Sequence, residues 1–259
     1  MSLAIIAITT HGLTVAGKLQ DNLKGDLYAP ENIINDNNAN ITAYETTTKK
    51  LIEKIWSRYN SFIFIMALGI VSRIIKDQIE NKFKDPAIVV VDEMGRYAIS
   101  TLSGHEGGAN RLAEKVALIC RGDFVITTGS EATKTLIAGM GCRRGTPADQ
   151  LEETLREGLK RINRTVNEVR LIASVEDKED EEGFHQLSEK LKIPLKFISK
   201  SRIKTIEDNF SKSETVKKAL GIYSVAEPCA ILGGFRCQIV LPKTKLPQTT
   251  IAIAEEKFL

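Results

Sequence analysis

The chain has 259 residues, 42% of them hydrophobic and 27% charged, with a net charge of +3 at pH 7. That length exceeds one typical domain and that apolar content supports real cores, so disorder is excluded as the default and two domains are expected. The charge is small for the length and its basic residues are interleaved with acids, which argues against nucleic acid as the main partner. The longest apolar run, residues 62–71, is broken by Gly69 and stops before Arg73, too short to span a membrane.

Residues 3–8 lack a basic leader, so no signal peptide is read and a cytoplasmic location is expected. The same run is a strand buried on both faces of a parallel sheet, ending at the polar turn Thr9-Thr10-His11-Gly12 before a helix over 13–23. A short strand over 26–29 and an irregular asparagine-rich loop over 35–40 follow. Leu51, Ile52, Ile55 and Trp56 form the apolar stripe of a helix over 50–59. Residues 61–66 predict a strand, followed by a helix that turns Ile70, Val71, Ile74 and Ile75 inward. Gly69 lets a ligand approach the backbone there, and Arg73 faces either the crevice or solvent. After the charge run 76–84 and the boundary Asp85-Pro86, a buried strand over 87–91 ends at Asp92-Glu93. Met94-Gly95 then reverses the chain into residues 96–100 as a hairpin.

Ser103-Gly104-His105-Glu106-Gly107-Gly108-Ala109-Asn110 joins that strand to a helix carrying Leu112, Ala113, Val116 and Ala117. In an open α/β sheet such loops line the ligand crevice, and the following helix aims free N–H groups into it. Gly104, Gly107 and Gly108 clear side chains from around His105, which makes it the favoured catalytic histidine; His11 reads either as sharing the crevice with His105 or as a turn residue, the turn being favoured, and His185 as a surface residue. Asp92 and Glu93 read either as an acid/base pair or as solvated turn residues.

A strand over 123–127 and a turn at 128–131 bring the chain to a domain boundary, giving expected domains 1–133 and 134–259. A strand over 135–140 runs into a second glycine-rich turn, Gly139-Met140-Gly141-Cys142-Arg143-Arg144-Gly145-Thr146, and Pro147 starts a helix to about 162. The glycine spacing is not that of a dinucleotide fingerprint and no Walker lysine follows. Arg143 and Arg144 instead suggest a cradle for carboxylates or phosphates. Strands over 169–175 and 194–198 alternate with helices over 179–191 and 213–220, the latter capped by Ser213 and stopped by Gly221. A short apolar helix from Glu227-Pro228 and strands over 237–241 and 249–254 close the chain. The expected fold class is α/β, two three-layer α/β domains with mostly parallel sheets. Cys120, Cys142, Cys229 and Cys237 include no Cys-x-x-Cys pair, so reduced thiols are expected rather than a zinc knuckle or disulfide framework.

Residues 66–73 (MALGIVSR), 85–93 with Asp85-Pro86-Ala87 and Asp92-Glu93, and 102–110 with Ser103-Gly104-His105 and Gly107-Gly108-Ala109-Asn110 resemble, in order and spacing, the amino-terminal domain of the CbiG family of cobalt-precorrin-5A hydrolases. Residues 139–146, Glu227-Pro228 and Val240-Leu241-Pro242-Lys243 resemble its carboxyl-terminal domain. Family members commonly carry a further segment between the two, so this chain is a short form. The resemblance implies cobalamin biosynthesis: hydrolysis of the ring A δ-lactone of cobalt-precorrin-5A, with loss of the bridging carbon and its methyl group as acetaldehyde, giving cobalt-precorrin-5B. Cobalt arrives with the substrate, so no separate cofactor and no metal site are expected. The partner is a tetrapyrrole small molecule, with no nucleic acid and no membrane, and a homodimer is an open arrangement.

The resemblance makes His105 a general base and Asp92 or Glu93 its orienting group or the alternative base, with the N–H groups of Gly107, Gly108 and Ala109 receiving the oxyanion. It places the substrate against Gly69, Ile70, Arg73, Ser103, Gly104, Gly107, Gly108 and Asn110 in the first domain. In the second it uses Gly141, Cys142, Arg143, Arg144, Gly145, Thr146 and Glu227. A parallel sheet would bring the turns at Gly69–Arg73, Asp92-Glu93 and His105 to one edge. The alternative is a protein of the same pathway that binds a corrinoid intermediate without catalysis.

Overall fold

The structure, a computed structural model, describes residues 2–34 and 40–257; the loop expected over 35–40 lies, but for Asn40, outside them. The chain divides into two compact units, Met1–Thr128 and Gly129–Leu259.

In the first unit seven strands, β1 (Leu3–Ala7), β2 (Asp26–Pro30), β3 (Ile41–Tyr44), β4 (Ser61–Ile65), β5 (Ala87–Val91), β6 (Tyr97–Leu102) and β7 (Asp123–Val125), form one sheet of order β3-β2-β1-β4-β5-β6-β7. Every residue of β1, β4 and β5 is buried, as their unbroken apolar sequences require of strands covered on both faces. Helices α1 (Thr10–Leu23) and α4 (Ala109–Cys120) supply Ala16, Leu19, Leu112 and Val116 to one face, against Ile5, Ile63 and Val89. Helices α2 (Thr48–Ile55) and α3 (Leu68–Ile75) supply Ile52, Ile55, Val71 and Ile74 to the other, against Ile6, Phe62 and Phe64. Each such side chain contributes about 1.5–3 kcal/mol by leaving water. All neighbouring pairs are parallel except β5 and β6, which the hairpin makes antiparallel, with Val91 opposite Ala98.

Two local expectations shift. The polar residues Thr10, His11 and Gly12 are the first turn of α1, because the Thr9 hydroxyl accepts the Gly12 N–H at 3.1 Å and caps the helix there. The helix expected over 50–59 ends at Ile55 and tightens into a 3₁₀ turn at Trp56–Arg58.

The second unit holds five strands, β8 (Leu136–Cys142), β9 (Val169–Val175), β10 (Leu195–Ile198), β11 (Cys237–Leu246) and β12 (Thr249–Glu256), in the order β10-β9-β8-β12-β11. β8, β9 and β10 are parallel; β12 runs antiparallel to β8 and to β11. α5 (Ala148–Arg161) packs its Gly158 against Ile251 on one face, beside α6 (Glu182–Leu191). α9 (Ala226–Gly233) covers the other face, so close that a Cβ on Gly139 of β8 would lie 1.9 Å from the Ala226 carbonyl oxygen. A short unanticipated helix, α7 (Lys200–Lys204), and the expected one, α8 (Glu214–Leu220), connect β10 to α9. Ser213 precedes α8 without a side-chain capping bond, and Gly221 ends it at φ +75°. Both units are therefore three-layer α/β folds with mostly parallel sheets.

Candidate functional site

The loop after β6 is built from its own backbone. The Ser103 carbonyl accepts the N–H groups of Gly107 (3.1 Å) and Ala109 (3.2 Å), and the Gly104 carbonyl accepts that of Asn110 (3.0 Å). Ser103 adopts φ +54°, and its hydroxyl donates to the Asp85 carbonyl at 2.9 Å. Gly107 must be glycine, since a Cβ there would lie 2.5 Å from the Ser103 Cβ. Gly108, at φ +87°, opens α4. The side chain of Asn110 accepts from the Ser100 hydroxyl (2.7 Å) and donates to that of Thr128 (3.0 Å). Two expectations change. The N–H groups of Gly107 and Ala109 are taken by Ser103 and do not form an oxyanion hole, and Asn110 is buried with both ends of its amide occupied. His105 and Glu106 are exposed; Glu106 pairs with Lys82 at 2.6 Å, while His105 has no hydrogen-bond partner among the described residues.

The other first-unit candidates stand at the opposite sheet edge. Because β6 is antiparallel to β5, its carboxyl end, with His105, lies beside the start of β5 at Asp85, whereas Asp92-Glu93 and the Met66–Arg73 segment follow the carboxyl ends of β5 and β4. The five residues of β5 separate the two edges by about 17 Å. The expectation of one shared edge fails on this point, and with it the pairing of His105 with Asp92 or Glu93. Asp92 is a turn residue: its carboxylate accepts the N–H of Tyr97 (2.9 Å) and the guanidinium of Arg96 (2.8 Å). Burial pulls its pKa up, but those bonds and the Met94 N–H outweigh it and hold the carboxyl below its usual range. Glu93 is half-buried with no hydrogen-bond partner among the described residues. Gly69 and Ile70 are exposed in the first turn of α3, and Arg73 folds back to donate to the Gly69 carbonyl at 2.8 Å.

The strand order reverses between β1 and β4, which is where an open sheet of this type has its crevice. The residues that open there are exposed His11 on α1 and exposed Leu68 and Gly69 on α3. Sequence reasoning leaves His11 open between crevice and turn because its place depends on strand order, which no local pattern carries; the structure puts it in the first turn of α1 beside the point of reversal.

In the second unit the turn after β8 is tied down by side chains. Glu181, buried, accepts the Gly145 N–H (2.7 Å) and pairs with buried Lys178 (3.0 Å). The Thr146 hydroxyl donates to the Arg143 carbonyl (2.8 Å), and Arg144 pairs with Asp180 (2.6 Å). A Cβ on Gly141 would lie 2.8 Å from the Thr250 hydroxyl. Burial pushes the Cys142 thiol up, opposed by the Lys178 ammonium beside it. Arg143 is exposed and its guanidinium has no partner among the described residues, so it is the free cation of this turn. Glu227, buried in the first turn of α9, accepts the Lys243 N–H (3.2 Å) and the Ser211 hydroxyl (3.4 Å). Sequence reasoning missed Lys178 and Glu181; they lie in what reads as an undifferentiated charged stretch.

His185 is not a free surface group, since its Nε2 bonds the Glu179 carbonyl at 2.7 Å and its ring lies 5.9 Å from that of Phe197. A shallow groove of about 540 Å³ along α5, lined by Glu152, Glu153, Arg156 and Leu246, contains none of the expected site residues. Among the described residues no helix is long and apolar enough to cross a membrane.

The chain thus holds two three-layer α/β units, each presenting a glycine-rich strand-to-helix turn with polar side chains. The family model described as cobalamin synthesis G N-terminal matches residues 50–131, and that described as cobalamin synthesis G C-terminus matches residues 136–254. The chain belongs to the CbiG family of cobalamin-synthesis proteins. It is similar to a protein of Priestia megaterium named cobalt-precorrin-5A hydrolase, 25% identical over 352 residues, covering 97% of this chain and 94% of that one. A protein of Methanocaldococcus jannaschii named probable cobalt-precorrin-5A hydrolase is 26% identical over 340 residues, covering all of both. Of solved structures, CobE, from the cobalamin biosynthetic pathway, is 33% identical over 48% of this chain and 91% of its own, with a TM-score of 0.45. Alignments longer than this chain's 259 residues mean that the relatives carry sequence without a counterpart here, and only residues 132–135 separate the two family matches.

Proposed function

We propose that this chain acts in the cytoplasm as a cobalt-precorrin-5A hydrolase, opening the ring A δ-lactone of that substrate and releasing acetaldehyde in cobalamin biosynthesis. The observation that carries this is similarity to proteins of that name along essentially the whole chain, through both family domains. Cobalt belongs to the substrate, so the protein's task is to hold a carboxylate-fringed macrocycle and to move protons at one lactone. Exposed Arg143, with no competing partner among the described residues, suits a substrate carboxylate. His105 is the base: its imidazole takes a proton from water as the oxygen adds to the lactone carbonyl, and the ring C–O bond breaks to leave a carboxylate and an alcohol on the bridging carbon. Loss of that hydroxyl proton then forms the C=O of acetaldehyde as the carbon–carbon bond to the macrocycle breaks, its electron pair passing to the ring carbon, which takes up a proton. With the N–H groups of Gly107 and Ala109 occupied, the N–H of half-buried Gly108 and the Lys82 ammonium paired with Glu106 are the nearby groups that can meet developing negative charge.

Anaerobic incubation of the protein with cobalt-precorrin-5A tests this, with acetaldehyde and the corrinoid mass as readouts. Release of one acetaldehyde per substrate is expected. The short joint at residues 132–135 favours one rival, a protein that holds the corrinoid without turning it over; tight binding with no acetaldehyde would establish that reading instead.

A further inference from the structure

Asn110 stands between three parts of the first unit. Its side chain takes the Ser100 hydroxyl of β6 at 2.7 Å and gives an N–H to the Thr128 hydroxyl, past the end of β7, at 3.0 Å. Its backbone N–H bonds the Gly104 carbonyl at 3.0 Å, one residue before His105. Gly104 leaves no room for variation: a Cβ there would lie 2.7 Å from Asn110 Oδ1 and 3.1 Å from the Thr128 methyl carbon. A buried amide with both ends bonded is costly to leave unmade, so these contacts hold as a unit.

Thr128 is also the last residue of the first unit, three residues before the end of the amino-terminal family match. We propose that Asn110 and Thr128 form a clamp that positions His105. Asn110 is thus a positioning residue rather than a substrate contact, and the hydroxyl of Thr128 sets the loop's place from within this chain's own first unit. The proposal rests on His105 acting as the base in the reaction proposed above. Its physical content is that His105 has no hydrogen-bond partner among the described residues, so its aim is inherited from the loop, which is tied by side chains to the rest of the unit through this clamp, through Ser103 with the Asp85 carbonyl and through the exposed Glu106–Lys82 pair. A displacement of about 1 Å at the base costs up to about 100-fold in rate without weakening ground-state binding.

The test uses the full chain and a pair of substitutions that separate hydroxyl from methyl. Thr128→Val keeps the methyl packed on Gly104 and removes the acceptor; Thr128→Ser keeps the acceptor. Asn110→Leu keeps the volume and removes both bonds of the side chain, to Ser100 and to Thr128, whose hydroxyl could otherwise donate to a carboxylate placed there. Thr128→Val and Asn110→Leu are expected to lower kcat for acetaldehyde release roughly 10- to 100-fold with KM within about threefold of wild type, while Thr128→Ser stays near wild type. The imidazole C2–H resonance of His105, assigned by its disappearance in His105→Gln, should move in the first two variants and not in the third. Wild-type kcat and an unmoved resonance in Thr128→Val would overturn the proposal, as would equal losses in Thr128→Val and Thr128→Ser that follow melting temperature alone. If the wild-type protein releases no acetaldehyde, the proposed reaction fails, and the resonance alone decides whether the clamp positions His105.

Discussion

The turn after β6 and the turn after β8 share a description, glycine-rich and leading from strand to helix, and they differ in what holds them. In the first, carbonyls of Ser103 and Gly104 absorb the N–H groups of Gly107, Ala109 and Asn110, so the backbone closes on itself; of its two exposed polar side chains Glu106 is paired with Lys82 and His105 has no hydrogen-bond partner among the described residues. In the second, buried Glu181 takes the Gly145 N–H and Asp180 takes Arg144, so acids from the segment after β9 do the holding and Arg143 is left over. Glycine density therefore does not by itself create an anion-binding cradle. What a turn can do depends on which groups remain after its internal bonds are counted: an imidazole suited to proton transfer in one, a guanidinium suited to binding in the other.

The sharpest way to break that division is at His105. His105→Ala and His105→Asn should each reduce acetaldehyde release by at least about 100-fold while corrinoid binding, followed by absorbance titration, is retained. Near-normal turnover in both would remove the chemistry from the first turn. The glycines come next. Gly107→Ala drives a Cβ to 2.5 Å from Ser103 Cβ and 2.9 Å from the Ser103 oxygen, and should cost about 2–3 kcal/mol in denaturant unfolding together with most of the activity. Gly145→Ala meets open space at φ +79°, so only backbone strain is added, about 1 kcal/mol. Equal costs would mean that the two turns are not held differently after all.

The elements of both turns were legible in the sequence, and their surroundings only in part. The fully buried strands β1, β4 and β5 announce themselves as unbroken apolar runs, and Pro147 marks the start of α5 because its ring suits a position that needs no N–H donor. The hairpin at Asp92–Gly95 was legible too, from Met94-Gly95. Its consequence was not: one antiparallel strand moves His105 to the edge away from Arg73 and Asp92, a property of sheet order rather than of any window of residues. The pairing of Glu181 with the Gly145 N–H joins positions 36 apart, and nothing in a charged stretch says which acid turns inward. The same holds for Asn110, whose type suits a substrate contact and whose environment makes it a clamp.

A smaller effect separates the two arginines of the second turn. Removing the unpartnered guanidinium in Arg143→Ala should raise the dissociation constant for a carboxylate-bearing corrinoid about tenfold, the value of one charge-assisted hydrogen bond, with kcat little changed. Arg144→Ala removes a guanidinium that already has Asp180 and should change binding less, with no measurable shift in melting temperature, since the pair is exposed. A larger effect at Arg144 would show that the Asp180 pair opens to admit ligand.

The smallest expected effect concerns the residue that decides where the first turn lies. Asp92 fixes the hairpin through Tyr97 and Arg96, and those bonds hold its carboxyl below its usual range in the folded chain despite the opposing pull of burial. A depressed folded-state pKa contributes stability that is present above the unfolded value, about 3.9, and is lost as pH falls through the folded one. Asp92→Asn should therefore be less stable than wild type at pH 7, by under about 1 kcal/mol because the group is partly solvated, and the gap should close as the pH is taken below 4 toward the folded pKa. Urea unfolding of both proteins across that interval measures the closure. If the hairpin is what keeps His105 at the far edge, the variant's loss at pH 7 should come with a matching rise in proteolytic cleavage at residues 92–96, while the turn after β8 stays protected.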